Sequence, residues 1–311
     1  MNVVWALLIS LVLAIILTTG WSWCCRKFLV KLDSVVLKEL YEQKTLIHEE
    51  KVDDFLLLKE SIINLKKQIL LNGCGFFVLA GSSFKDFTVN EKKSIYIIIS
   101  KILGKLLKQN KKGELAIEVM DMGKTMQEGS RYHHTRESGS YHTDGSHIYS
   151  DPPDYVGLLC INPAKKGGES KFMSAYNIHN KLQEKKELLK ILYGKFYHDK
   201  KEENEPGEPS TQFEPIFEYT NGRLKFKYQR ELINSGYDKA KQSLSKKQIE
   251  ALNFLDDILE NDDRVLTYGL KEGDMMFSNN QWLIHDRTKF EDYEDEKLKR
   301  YLIRIWIREL N

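Results

Sequence analysis

Cysteine is scarce: four in 311 residues, too few and too scattered for a disulfide framework. Cys74 and Cys160 stand alone in apolar sequence and read as buried thiols. No Cys-x-x-Cys and no helical His-Glu-x-x-His pair is present, so a zinc hydrolase has little support. An excess of one charge is missing too. Lys and Arg number 47 against 45 Asp and Glu, a formal net charge of +2, which gives no field for holding nucleic acid. Lysine-rich stretches such as Lys108 to Lys112 and Lys185-Lys186 read as solvated faces. Gly167-Gly168 lacks the Gly-x-x-x-x-Gly-Lys-Ser/Thr pattern of a phosphate loop and reads as a tight turn into a strand. No internal repeat is evident.

Against these absences stands His142-Thr143-Asp144, with His285 far downstream. Residues i and i+2 of an extended segment point to the same side, so His142 and Asp144 can reach one metal while Thr143 points away. Two imidazoles and one carboxylate cap one face of an Fe(II) ion and leave the opposite positions open for a co-substrate and dioxygen. His133, His134 and His147 lie near the tripeptide and read as lining the approach to the iron or sitting on the loop before it. Downstream of His285 come Arg287 and a strand-like run containing Arg300 and Arg304. A buried guanidinium needs an anion and suits a carboxylate bidentately. Iron ligands with an arginine one strand away describe a site for a keto-dicarboxylic acid.

Five stretches in order carry a resemblance: Tyr141-His142-Thr143-Asp144-Gly145-Ser146, Pro152-Pro153-Asp154, Gly167-Gly168-Glu169-Ser170, His285-Asp286-Arg287 and Arg300-Tyr301-Leu302-Ile303-Arg304. Over roughly residues 60 to 311 the chain resembles the taurine dioxygenase and clavaminate synthase-like family of 2-oxoglutarate-dependent oxygenases. The resemblance implies that His142, Asp144 and His285 bind iron(II), that Arg300 pairs with the distal carboxylate of 2-oxoglutarate, and that the Ser170 hydroxyl contacts the same carboxylate. Arg304 falls on the family's second arginine, which touches either the co-substrate or an anionic group of the prime substrate. Asp144 is kept where halogenating relatives lack the acid, which favours hydroxylation or desaturation. Arg230, in Tyr228-x-Arg230 after an expected strand and before a loop, is a further candidate for an anionic substrate group, its alternative being a surface arginine paired with a nearby acid.

The expected fold is mainly β with flanking helices, a double-stranded β-helix or jelly roll. Short strands are expected at Leu115 to Met120, Tyr141 to Asp144, Val156 to Ile161, Glu169 to Ser174, Leu224 to Tyr228, Met275 to Ser278 and Tyr301 to Ile307. A buried strand opens the core at Phe76 to Gly81, and helical spacing marks residues 33 to 72, Asn90 to Leu107, Ile178 to Leu192 and Lys246 to Leu259. Asp199 to Ser210, rich in Lys, Glu, Pro and Gly, is the candidate mobile loop or lid.

The N-terminus holds the one long apolar run, Val3 to Trp23, without a charge and with Trp5, Trp21 and Trp23 near its ends. It reads as a transmembrane helix, an uncleaved anchor. Arg26, Lys27 and Lys31 follow it, so the positive-inside rule puts the catalytic part in the cytosol of a single-pass membrane protein. Cys24 and Cys25 at the membrane edge occupy a position open to palmitoylation. The expected division is a membrane anchor at 1–30, a helical stalk at 31–59 and an oxygenase domain at 60–311. The expected function is an Fe(II)- and 2-oxoglutarate-dependent dioxygenase acting with dioxygen on a small amine- or acid-bearing metabolite. Two alternatives stay open: a membrane-tethered hydroxylase of a protein or lipid head group, and a non-catalytic sensor that binds 2-oxoglutarate and iron.

Overall fold

The computed structural model describes residues 28–123 and 132–310. Strand β1 (Leu29–Val30) is followed by helices α1 (Ser34–Glu42) and α2 (Leu56–Leu65), then by β2 (Phe76–Leu79), which runs parallel to β1. Asp33 starts α1 by accepting the Val35 N–H at 2.9 Å, satisfying one donor that the helix itself leaves open. Helix α3 (Val89–Leu103) begins in a reciprocal cap between Thr88 and Glu91. The sequence spacing carries a helix through Leu107, but α3 stops at Gly104, and β3 (Lys105–Leu107) joins the sheet instead. The alternation of β2 shows what the sheet does. Phe76 and Val78 face one core, while Phe77 and Leu79 face the other, against Val36, Leu40, Leu58 and Ile62 of the first two helices and Ile95, Ile98 and Ile99 of α3. Both faces of this sheet are therefore buried.

Strand β4 (Ala116–Val119) precedes the metal-site tripeptide, and β5 (Tyr155–Asn162) follows it. The turn strand β6 (Lys166–Gly167) leads to β7 (Ser170–Ser174). Helices α4 (Ala175–Leu182) and α5 (Lys186–Leu192) come next, then two hairpins, β8 (Lys195–Asp199) with β9 (Thr211–Pro215) and β10 (Phe217–Thr220) with β11 (Arg223–Phe226). Helices α6 (Arg230–Lys239) and α7 (Lys246–Asn261) complete this insertion. The chain returns through β12 (Leu266–Tyr268), β13 (Met275–Asn279), β14 (Leu283–Arg287), β15 (Phe290–Glu291) and β16 (Tyr301–Arg308).

The large sheet has the order β1-β2-β13-β5-β16-β3, with β4 also paired to β16; the small sheet has the order β12-β7-β14. Their inner faces close on one another through Phe76, Val78, Met276 and Leu302 on one side and Phe172 on the other, Phe172 stacking on Phe76 at 4.7 Å. This is the expected jelly roll. Two local readings differ. A 3-10 turn at Gln183–Lys185 splits the single helix expected across Ile178 to Leu192. The segment 199–210, expected as a mobile loop or lid, is the turn-rich loop that joins β8 to β9, with Lys200 N–H bonded to the Ser210 carbonyl at 3.0 Å. Residues 32–58, expected as a stalk, lay Leu32, Val36, Leu40, Ile47, Phe55 and Leu58 into the outer core.

The expected transmembrane helix is corrected. Among the described residues no helix is long and apolar enough to cross a membrane. The longest, α7, has 16 residues, about 24 Å of rise against the roughly 30 Å of a hydrocarbon core. It is two-faced, burying Ala251, Leu252, Leu255, Ile258 and Leu259 while packing against α4 and α5. The run Val3 to Trp23 and the juxtamembrane Cys24 and Cys25 lie outside the described residues. The membrane partner and the single-pass location drawn from that run are withdrawn with it.

Candidate active site

Each candidate metal-site residue is placed by hydrogen bonds to segments distant in sequence. His142 and His285, 143 positions apart, form an antiparallel bridge: His142 N–H donates to the His285 carbonyl at 2.9 Å, and His285 N–H returns to the His142 carbonyl at 3.0 Å. Their ring centroids lie 4.5 Å apart. Asp144 is fixed by a buried amide. Its N–H donates to Asn280 Oδ1 at 2.8 Å, and Asn280 Nδ2 donates to the carbonyls of Asp144 and Pro153, each at 3.0 Å. Gly145 then turns the chain away at φ +79°, where a Cβ would stand 2.4 Å from Pro153 Cδ.

One ligand atom from each of His142, Asp144 and His285 falls within 4.8 Å of the others. His142 Nε2 lies 3.7 Å and His285 Nε2 3.9 Å from Asp144 Oδ1. The Ser140 carbonyl, an acceptor only, lies 2.8 Å from His142 Nδ1, so that nitrogen carries the proton and Nε2 presents its lone pair to the cluster. Burial pushes the His285 imidazole down to about 3, with the Arg304 charge acting the same way and Asp144 opposing it. Burial works the other way on Asp144, raising it, yet Arg304, the two histidines and the Trp306 N–H together hold its carboxyl well below the usual range. A neutral imidazole beside an ionised carboxylate is the protonation state a divalent ion requires. The donor set fits iron(II).

The cluster opens on a cavity between the sheets that Ser170, Arg287, Arg300 and Arg304 also line. Ser170 begins β7 directly after the Gly168 turn, whose φ of +76° needs glycine and where a Cβ would crowd Arg300 Nε at 3.3 Å. Arg300 stands just before β16, only 4% exposed. Burial and the neighbouring Arg287 charge pull its guanidinium down to about 10, and its Nη1 has no hydrogen-bond partner among the described residues. An orphaned buried guanidinium fits an anionic co-substrate. Arg304 lies closer to the metal donors: its Nη1 is 3.3 Å from both Asp144 carboxylate oxygens, and its Nε donates to Gln109 at 2.8 Å.

Arg230 is not among the residues lining this cavity. It is the first residue of α6, where a loop was expected, and its Nη1 donates to Asp256 at 2.6 Å and its Nη2 to Asn253 at 3.0 Å, both on α7. Other residues were missed in the sequence. Trp306 donates its indole N–H to Asp144 Oδ2 at 2.9 Å, and Tyr132 sets its ring edge-on to His142 at 5.6 Å. Trp306 had a signal, since it follows Arg304 by two in the same strand. Tyr132 had none, because its partner Asp286 lies 154 positions away. His147 packs edge-on to Trp306 at 5.9 Å.

A jelly roll that carries two histidines and one carboxylate at one end of its cavity and a buried arginine further along defines the non-haem iron oxygenases. The chain belongs to the taurine catabolism dioxygenase TauD, TfdA family, whose family model matches residues 49–306, and it is accordingly a 2-oxoglutarate-dependent, non-haem iron dioxygenase. It is 32% identical to FR-33289 synthase of Streptomyces rubellomurinus over 246 residues, 76% of this chain and 70% of that protein. Over 170 residues it is 29% identical to the taurine hydroxylase-like protein SAT17 of Stachybotrys chartarum, covering 53% of this chain and 41% of that one. Two solved structures share the fold. An asparagine oxygenase in complex with Fe(II), 2S,3S-3-hydroxyasparagine and succinate superposes with TM-score 0.71 at 14% identity, covering 91% of this chain and 94% of that one. The non-heme iron oxygenase OrfP in complex with Fe, succinate and (3S)-hydroxy-L-Arg gives 0.64 at 12% identity, covering 90% and 94%.

Proposed function

We propose that this dioxygenase hydroxylates a small amine- or acid-bearing metabolite, an amino acid or close relative in the first instance. The observation that carries the reading is one cavity shared by the three candidate metal donors and by the buried guanidinium of Arg300, whose Nη1 has no partner among the described residues. In this reading His142, Asp144 and His285 hold iron(II), and Arg300 with Ser170 holds the distal carboxylate of 2-oxoglutarate. The hydroxylated amino acids held by the two structural neighbours support the substrate class.

Iron(II) and 2-oxoglutarate together supply the activation of dioxygen, with the co-substrate converted to succinate and carbon dioxide. The chain supplies the rest. The Ser140 carbonyl keeps the Nδ1 proton of His142 in place, so the ring binds through Nε2. Arg304 and Trp306 keep Asp144 ionised and oriented. Val156, Leu158, Phe172, Met276 and Leu302 make the cavity wall apolar, which excludes water from a reactive centre. Arg304, nearest the donors, is the arginine we assign to an anionic group of the prime substrate.

Screening amino acids, betaines and related acids for substrate-stimulated succinate release tests the reading. Mass analysis of the product separates a gain of one oxygen from a loss of two hydrogens. A chain that takes up 2-oxoglutarate but releases no succinate with any of these substrates would sink the proposal.

A further inference from the structure

Arg287 lies in the same cavity as Arg300, and the reading above gives it no task. We propose that Arg287 is a second arginine for the distal carboxylate of 2-oxoglutarate, which is thereby held by two guanidinium groups and the Ser170 hydroxyl. The proposal rests on the assignment of Arg300 to that carboxylate.

Strand geometry brings the three donors together. Arg287 follows His285 by two in β14, so both side chains leave the same face, and Arg287 stands directly opposite Ser170 of β7 in the register. Its exposure is 6%. One end of the guanidinium is committed, Nη2 donating to the carbonyls of Thr135, at 2.9 Å, and Glu137. The other end is not: Arg287 Nε, like Arg300 Nη1, is buried without a hydrogen-bond partner among the described residues. Both guanidinium groups lie against Phe290, at 4.8 and 5.0 Å from its ring centroid. The nearby Asp286 carboxylate is occupied elsewhere, accepting from Tyr132 at 3.1 Å and Lys171 at 3.4 Å.

Two like charges gathered in one buried place raise the energy of the protein unless an anion joins them. A carboxylate offers about four acceptor positions. A fork from Arg300, the N–H of Arg287 Nε and the Ser170 hydroxyl would fill all four. A 2-oxo acid without a distal carboxylate leaves both cations without that anion, and the site holds it less tightly on that ground. The Nη2 bonds make the arrangement rigid, because the carbonyls of 135 and 137 fix the guanidinium before any ligand arrives.

The experiment measures calorimetric binding of 2-oxoglutarate and of pyruvate, which lacks the distal carboxylate, to the full chain with iron(II) under anaerobic conditions. Wild type is compared with Arg287→Met, Arg287→Lys and Arg300→Met. The expected result is a roughly 10- to 100-fold weaker affinity for 2-oxoglutarate in Arg287→Met, with pyruvate binding unchanged and partial recovery in Arg287→Lys. In turnover the loss then falls on KM for 2-oxoglutarate rather than on kcat. Equal weakening of both 2-oxo acids would assign Arg287 a merely structural part and overturn the proposal, as would wild-type affinity in Arg287→Met. Should Arg287→Met fail to fold, Arg287→Lys carries the same comparison. Wild-type affinity in Arg300→Met would instead overturn the underlying reading, whereas loss in Arg300→Met without loss in Arg287→Met would remove the second arginine alone.

Discussion

The Asp144 carboxylate takes contacts from His142, His285, Arg304 and Trp306, four side chains of which only one is its neighbour in sequence. Asp144→Asn keeps the shape but loses the charge that a metal requires, so iron-dependent succinate release should fall by more than about 100-fold, with the fold retained. Trp306→Phe removes a single N–H. Outer contacts of this kind change metal affinity by roughly 10- to 100-fold, and an iron titration that matched wild type would deny the indole any part in orienting Asp144. Arg230→Ala should leave the affinity for 2-oxoglutarate and for substrate unchanged, since its partners Asp256 and Asn253 belong to α7. Weaker substrate binding in that variant, measured by calorimetry, would return Arg230 to the site.

Among the elements, the β8–β9 hairpin carries a pH dependence. His198 on β8 is fully buried, with Nε2 at 3.3 Å from the Glu214 carbonyl of β9. Burial first, and the Lys227 charge second, push its imidazole down to about 3. In the unfolded chain it titrates near ~6.5, so between these values the unfolded state binds the extra proton. The contribution of His198 to stability is therefore complete above about 6.5 and is lost progressively as the pH falls toward 3, by about 1.4 kcal/mol for each pH unit crossed. His198→Gln, which can still donate to Glu214, should lose less stability than wild type when urea midpoints at pH 7 and pH 4 are compared. An unchanged difference would show that other groups carry the acid sensitivity. Helices and strands with strong periodicity were legible in the sequence, as α3 and α7 illustrate, because burial of one face leaves a local pattern. The break at Gln183–Lys185 and the pairing of β3 were not, since each depends on what the segment meets in space.

For the whole molecule, the outer core is built partly from residues before 60. β1 pairs with β2, and Leu32, Val36, Leu40, Ile47 and Phe55 are buried in the outer core that α2 and α3 share. At about 1.5–3 kcal/mol for each buried side chain, their removal would subtract on the order of 10 kcal/mol, comparable with the roughly 5–15 kcal/mol that holds a typical domain together. A chain beginning at residue 60 should therefore fail to give a cooperative thermal transition, while one beginning at residue 28 should give it. A cooperative transition in the shorter chain would show that the first helices only decorate the fold.

The sequence by itself determined which residues could be proposed: His142, Asp144 and His285 were readable as candidate donors because residue type and a period of two are local properties, and the roles proposed for Ser170 and Arg300 came from the family resemblance carried by motifs in order. What lies around those donors was decided by tertiary structure. Arg304 reaches Asp144, Arg230 turns to α7, and Arg287 comes opposite Ser170, although all three are the same residue type. An arginine side chain is long and takes its partner from whatever segment the fold brings near, so its role resides in contacts that the neighbouring sequence does not contain.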